Sequence, residues 1–125
     1  AAGFKATFAV GDKSAEANCT MTARTASASM AIATGSSATV DNSGGAGGTA
    51  VFNVTTDGGA KVTGATIAGA TDTGATNATV AVSNGVVTVT IKSSATADTY
   101  TVTLSYTDEA DGNAATATTT VTVTA

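Results

Sequence analysis

ATVAVSNGVVTVTI, residues 78–91, folds back on itself when it is read as a pair of strands. Asn-Gly strongly favours a two-residue type I′ turn, because both central residues of that turn need positive φ. A turn at Asn84-Gly85 sets Ser83 against Val86, Val82 against Val87, Val80 against Val89 and Ala78 against Ile91. The last three pairs share a face and are wholly apolar. The opposite face takes Ser83/Val86, Ala81/Thr88 and Thr79/Thr90, which is mixed. Turn chemistry and hydrophobic phase agree on one register, so the period-two alternation predicts a sheet with one dry face.

The same alternation continues outward along the chain. Tyr100, Val102, Leu104 and Tyr106 share one parity, and Ala117, Thr119, Val121 and Val123 share one after the turn DEADGN (108–113). FKATFAV places Phe4, Ala6, Phe8 and Val10 on one face, and Gly11-Asp12 then turns the chain. SAEANCTMTAR places Ala15, Ala17, Cys19, Met21 and Ala23 opposite Glu16, Asn18, Thr20, Thr22 and Arg24. The next run carries its larger residues at Ala26, Ala28, Met30 and Ile32, and this change of parity near Arg24-Thr25 demands a bulge, kink or turn. DNSGGAGG (41–48) reads as a flexible loop and DGG (57–59) as a turn. Residues 60–76 give only short extended pieces around Val62 and Ile67. Many short strands separated by regular turns predict an all-β, antiparallel immunoglobulin-like β-sandwich with an extra N-terminal strand. The expected division is an amphipathic strand over 1–12 and the sandwich over 13–125.

Composition restricts both core and function. The chain has 125 residues, enough for one domain with a real interior. Ala and Thr are its commonest residues and aromatics make up only 4 %, so the core must be thin, with Phe4, Phe8, Phe52, Tyr100 and Tyr106 as its bulky pieces. Charged residues are 11 %, against about a quarter in ordinary domains, and the net charge is −4. Lys5, Lys13, Arg24, Lys61 and Lys92 stand apart, which argues against nucleic acid as a partner. No apolar run approaches the roughly 18 residues of a membrane span. A surface of Thr, Ser, Asn and Gly suits the cell exterior, and Ala1-Ala2 would suit a secreted terminus left by cleavage at small residues, or equally an excised domain. Cys19 has no second cysteine to pair with inside the chain, and its place in an alternating run suggests a small core residue, with a bridge to another chain as the alternative.

GGTAVFNVTTDGGAKV (47–62) together with SNGVVTVTIKSSATADTYTVTLSYTD (83–108) resembles the bacterial immunoglobulin-like repeats of the invasin and intimin type. The shared features are the strand ending T-D-G-G-A, the N-G-V-x-T-V-T-I-K-S hairpin strand and the A-x-T-Y-T-V strand, over half to two-thirds of the chain. Asp98 stands where that family usually has Gly. The resemblance implies a fold and no active site. It also implies work as a stalk, spacer or lattice module on a cell surface or phage particle.

Chemistry-bearing constellations are few. Without His, neither a Ser-His-Asp nor a Cys-His arrangement can form, and the usual zinc sites are excluded. No catalytic residues are assigned and no enzyme activity is expected. Asp108, Glu109, Asp111 and Asn113 form the candidate metal site, for calcium, because clustered loop oxygens suit a hard cation; the same residues also make an ordinary turn. Asn18, Asn53 and Asn77 head Asn-x-Thr sequons for glycosylation. FKATFAV is surplus to a seven-stranded sandwich. Phe4, Ala6, Phe8 and Val10 form either its own domain's edge strand or a donor strand that completes a neighbour's sheet. The leading expectation is a non-catalytic extracellular structural protein: a subunit of a surface filament or pilus, a surface layer, or an adhesin. Its partners would be further copies in a polymer or lattice, or neighbouring domains of a longer surface protein. A carbohydrate- or receptor-binding module and a phage decoration or tail domain are the alternatives.

Overall fold

Threonine and valine dominate the extended runs, and their β-branching favours strands. The computed structural model describes residues 2–21 and 24–125, and among these ten strands and no helix occur. In chain order they are β1 (Ala2–Val10), β2 (Lys13–Met21), β3 (Ser27–Ile32), β4 (Thr39–Asp41) and β5 (Gly48–Asp57). β6 (Ala60–Gly69), β7 (Ala78–Ser83), β8 (Val86–Ile91), β9 (Asp98–Asp108) and β10 (Ala114–Thr124) follow.

The strands form a four-stranded sheet in the order β3-β5-β8-β7, a second in the order β4-β10-β9-β6, and a separate pair β1-β2. Neighbours are antiparallel except for β4, which runs parallel to β10 with Val40 opposite Val123. The β7-β8 hairpin has the register that its turn dictates, with Val80 opposite Val89 and Val82 opposite Val87. Asn84 holds a φ of 50° and Gly85 a φ of 74°. Both are positive, as a type I′ turn needs.

Parity decides what is buried. The two four-stranded sheets share one core, to which β5, β7 and β8 bring Ala50, Phe52, Ala78, Val87, Val89 and Ile91. The facing sheet brings Val40, Tyr100, Val102, Leu104, Val121 and Val123. Between each pair of these along β8 and β9 lies a more exposed residue, so the layers are dry on one side and wet on the other. Tyr100, Phe52 and Leu104 are the largest side chains fully enclosed, which makes the core as thin as the composition requires.

Three differences from the sequence reading stand out, and a fourth reading falls partly outside the described residues. Phe4 and Phe8, expected in the core, are exposed. Lys13–Met21, expected within the sandwich, pairs along its whole length with β1. The parity change falls between β2 and β3, where Thr22 and Ala23 lie outside the described residues, as do the side chains of Cys19 and Met21. Residues 60–69 form one continuous strand, unreadable from sequence because a bulge between Val62 and Gly64 breaks its alternation.

Candidate interaction surface

β1 and β2 are joined by Gly11-Asp12, with Val10 opposite Lys13. Gly11 has a φ of 61° and Asp12 a negative φ. That combination, with Gly first, is the signature of a type II′ turn. The register runs without interruption through Phe8↔Ala15, Ala6↔Ala17 and Phe4↔Cys19. Residues directly opposite in an antiparallel pair share a face, so Phe4, Ala6, Phe8 and Val10 join Ala15 and Ala17 in one largely apolar surface, which Lys13 borders beside Val10. The other face is polar, with Lys5 beside Asn18, Thr7 beside Glu16, and an ion pair of 2.9 Å between Lys5 and Glu16. Both partners of that pair are more than half exposed, so it adds little stability.

This amphipathic hairpin lies open. Phe4 is 56 % exposed, Phe8 71 % and Val10 65 %. A hydrophobic residue scattered singly on a surface is ordinary, whereas here three large ones stand exposed along one strand. A shallow cleft of about 210 Å³ lies at its turn end, lined by Phe8, Val10, Lys13, Ser14 and Ala15. The residues singled out in the sequence as a donor strand are therefore brought together on one side, with β2 already paired to one edge of that strand.

Two polar networks hold one end of the sandwich, where residues 42–47, 70–77 and 92–98 meet, and sequence reasoning missed both. Asn42 opens the Gly-rich loop and is only 4 % exposed. Its side-chain amide donates to the carbonyls of Ala95 (2.6 Å) and Ser93 (3.2 Å), while its oxygen accepts from the Gly47 N–H (2.7 Å). Its backbone N–H donates to the Thr124 carbonyl at 2.7 Å. A segment that composition marks as flexible is thereby tied to the 93–95 turn and to the end of β10.

The second network joins Asp72, Asp98 and Tyr100. The Asp98 carboxylate accepts from the N–H groups of Asp72, Thr99 and Thr71, which hold its pKa below the usual carboxylate value. The Asp72 carboxylate accepts from the N–H groups of Asn77 and Thr76 and from the hydroxyls of Thr76 and Tyr100. The two N–H bonds do most to lower its pKa to about 2. Burial, reinforced by the Asp72 carboxylate at 3.0 Å, pushes the Tyr100 phenol up to about 12. The spacing D-x-x-x-T-N, an Asx-type side chain bonding the backbone four and five residues on, was the available signal.

The calcium candidate is arranged as a turn. The Asp108 carboxylate accepts from the Ala110 N–H, and Asp111 accepts from both the backbone and the side-chain amide of Asn113. The Glu109 N–H reaches the Gly59 carbonyl at 3.0 Å, which ties this turn to the β5–β6 turn. Among the described residues no three His, Cys, Asp or Glu side chains lie close enough to hold a metal together. Tyr106, Asp108, Asp111 and Asn113 do line a cleft of about 320 Å³ with Arg24, whose guanidinium pairs with Asp57. Tyr106 is only 8 % exposed, so it offers a sugar ring little stacking surface.

Of the sequon asparagines, Asn18 and Asn53 are exposed on β2 and β5. Asn77 is half-buried, and its side-chain oxygen accepts from the Ser94 hydroxyl. No helix among the described residues is long and apolar enough to cross a membrane. No family model, no curated protein and no solved structure matches the chain.

Proposed function

We propose that this chain is a non-catalytic structural module of the cell exterior that joins neighbouring molecules through its β1-β2 hairpin. On this reading the fold is an immunoglobulin-like sandwich of the invasin and intimin kind. The strand orders support it: β3-β5-β8-β7 and β4-β10-β9-β6 follow the A-B-E-D and G-F-C arrangement of that architecture, with β4 as an added strand beside G. The module belongs in a surface filament, surface layer or adhesin, where closed sheets serve as inert walls and an exposed element makes the contacts.

The observation that carries the proposal is the apolar hairpin face formed by Phe4, Phe8 and Val10. A two-stranded hairpin is marginal in water by itself and gains stability from a further strand or a covering surface. Because β2 already pairs with β1, the donor is a hairpin that extends a sheet by one of its edges, in place of a single free arm.

Sedimentation and electron microscopy of the purified chain test this. The parent associates as concentration rises, and Phe4→Ser/Phe8→Ser disperses it without changing the melting of the sandwich. A parent that stays monomeric up to about 100 μM, a concentration far above that at which useful interfaces form, refutes the proposal.

A further inference from the structure

We infer that the partner of the hairpin is β1 of a second copy of this chain, paired antiparallel about a two-fold axis at Ala6. The inference rests on the preceding proposal that the hairpin is the point of association, and it names the partner, the register and the symmetry.

The choice of partner follows from a comparison of strand edges. An unpaired edge invites another strand unless it is short, bulged or charged. In the sandwich β4 has three residues, β3 and β7 have six, and β6 is bulged between Val62 and Gly64. β1 has nine residues in unbroken register, with Lys5 as its single charge and no proline. β2 matches it in length but carries both Lys13 and Glu16. Among the described residues the outer edge of β1 carries no strand. The longest flat edge with the least charge that a copy of β1 can meet is therefore another β1.

The register follows from the turn. In a two-residue hairpin the pair that closes the turn exchanges hydrogen bonds, so Val10, Phe8, Ala6 and Phe4 direct their backbone groups toward β2. Ala9, Thr7, Lys5 and Gly3 direct theirs outward. A two-fold axis at Ala6, the midpoint of Ala2–Val10, overlaps the two strands completely. It sets Lys5 opposite Thr7 of the second copy and Gly3 opposite Ala9, a match that forms about eight main-chain hydrogen bonds.

The side chains agree with this register. On the apolar face each Phe4 meets the Phe8 of the other copy in a non-hydrogen-bonded pair, the closer of the two spacings and a favourable one for aromatics. Two rows on this face read Phe4–Phe8–Ala15 and Ala17–Ala6–Ala6–Ala17, with no charge in either, and Lys13 stands only at the outer edge, beside Val10. On the polar face the central row reads Asn18–Lys5–Thr7–Glu16, so no like charges stand directly opposite, and the two Lys5, diagonal to each other, are each already paired with the Glu16 of their own hairpin. Moving the axis one residue to Lys5 would set that lysine against its own copy, a repulsive pairing. The contact is isologous and closes on itself, so it gives dimers, and any longer array needs a second contact elsewhere. Two strands about 30 Å long make a smaller interface than the usual ~800 Å² per partner, in the size class of weak and transient contacts.

Disulfide trapping tests the register. In a Cys19→Ala background, Ala6→Cys brings two thiols to a separation that a disulfide spans, while Thr7→Cys and Ala17→Cys leave them too far apart. Ala6→Cys is expected to cross-link at least about tenfold faster than either, because only there is the pair pre-positioned. Thr7→Pro is the second test: it deletes an outward N–H, leaves the β1-β2 ladder whole, and is expected to make the chain monomeric with an unchanged melting transition. Association that persists in Thr7→Pro, or cross-linking that is fastest at Thr7→Cys, overturns the pairing while leaving hairpin-driven association standing. A parent chain that stays monomeric overturns both.

Discussion

Asn42→Ala is the sharpest test of the view that a buried amide, and not loop composition, fixes the Gly-rich segment. The substitution removes two donors and one acceptor from a site that is 4 % exposed. The Ala95 and Ser93 carbonyls and the Gly47 N–H lose their partners at once. Each such bond contributes about 1 kcal/mol net, and a buried group left unpaired costs about 1–3 kcal/mol, so the expected loss is about 3 kcal/mol. Urea unfolding followed by near-ultraviolet absorbance of the tyrosines measures it. With a slope of about 1–3 kcal/mol/M for a chain of this size, the midpoint falls by about 1–3 M. Asn42→Asp is the control for chemistry. It keeps an acceptor for Gly47 but turns a charged oxygen toward two carbonyls, so at neutral pH it costs more than alanine and recovers part of the loss in acid. A midpoint within about 0.3 M of the parent for Asn42→Ala would mean that water replaces the amide at no cost, and the reasoning would fail.

Further outcomes follow from the same structure. Leu104→Ala, at a fully enclosed position on β9, is expected to cost about 2–5 kcal/mol in the same assay. Thr101→Ala, on the outer face of that strand, is expected to change stability by about 0.5 kcal/mol or less. The Asp72 carboxylate titrates at about 2 in the fold against 3.8 in the open chain, so its contribution is complete above 3.8 and is lost as pH falls from there through 2. Melting temperatures between pH 5 and pH 2 should therefore drop less steeply in Asp72→Asn than in the parent. Tyr100 runs the other way, since its neutral form is favoured: that contribution is whole below pH 10 and is lost between 10 and 12. Millimolar calcium is expected to shift the melting temperature by less than about 1 °C, because the Asp108–Asn113 oxygens already accept bonds within their own turn, and a chelator-reversible rise would return that turn to metal chemistry.

Parity made much of the architecture legible. Val80, Val82, Val87 and Val89 could be assigned to one side from an Asn-Gly dipeptide and a count by twos, and β9 and β10 followed in the same way. The method failed where alternation does not carry the information. β6 contains an extra residue, so its pattern cancels when counted straight through. Phe4 and Phe8 alternate as cleanly as any core residue, yet alternation reports only that a strand has an apolar face, not which surface covers it, and so points both to an interior they do not reach. Asn42 was hidden by its setting, since a single amide among glycines looks like any turn residue until the carbonyls of residues 93 and 95 are brought to it from another part of the chain. Of the candidate surface, the residues were visible beforehand and their pairing with β2 was not.

The parallel alignment of β4 with β10 has a mechanical meaning. The chain enters β4 at Thr39 and leaves β10 at Thr124, and the two strands are bridged at both ends, by Thr122 N–H to the Ala38 carbonyl and by Asn42 N–H to the Thr124 carbonyl. A pull exerted between the segment before β4 and the end of β10 drives these strands past one another lengthwise. The bridging bonds then lie across the load and share it, and none can be peeled open ahead of the rest. Tension along the chain is met by the one pair of neighbours in the sandwich whose directions agree.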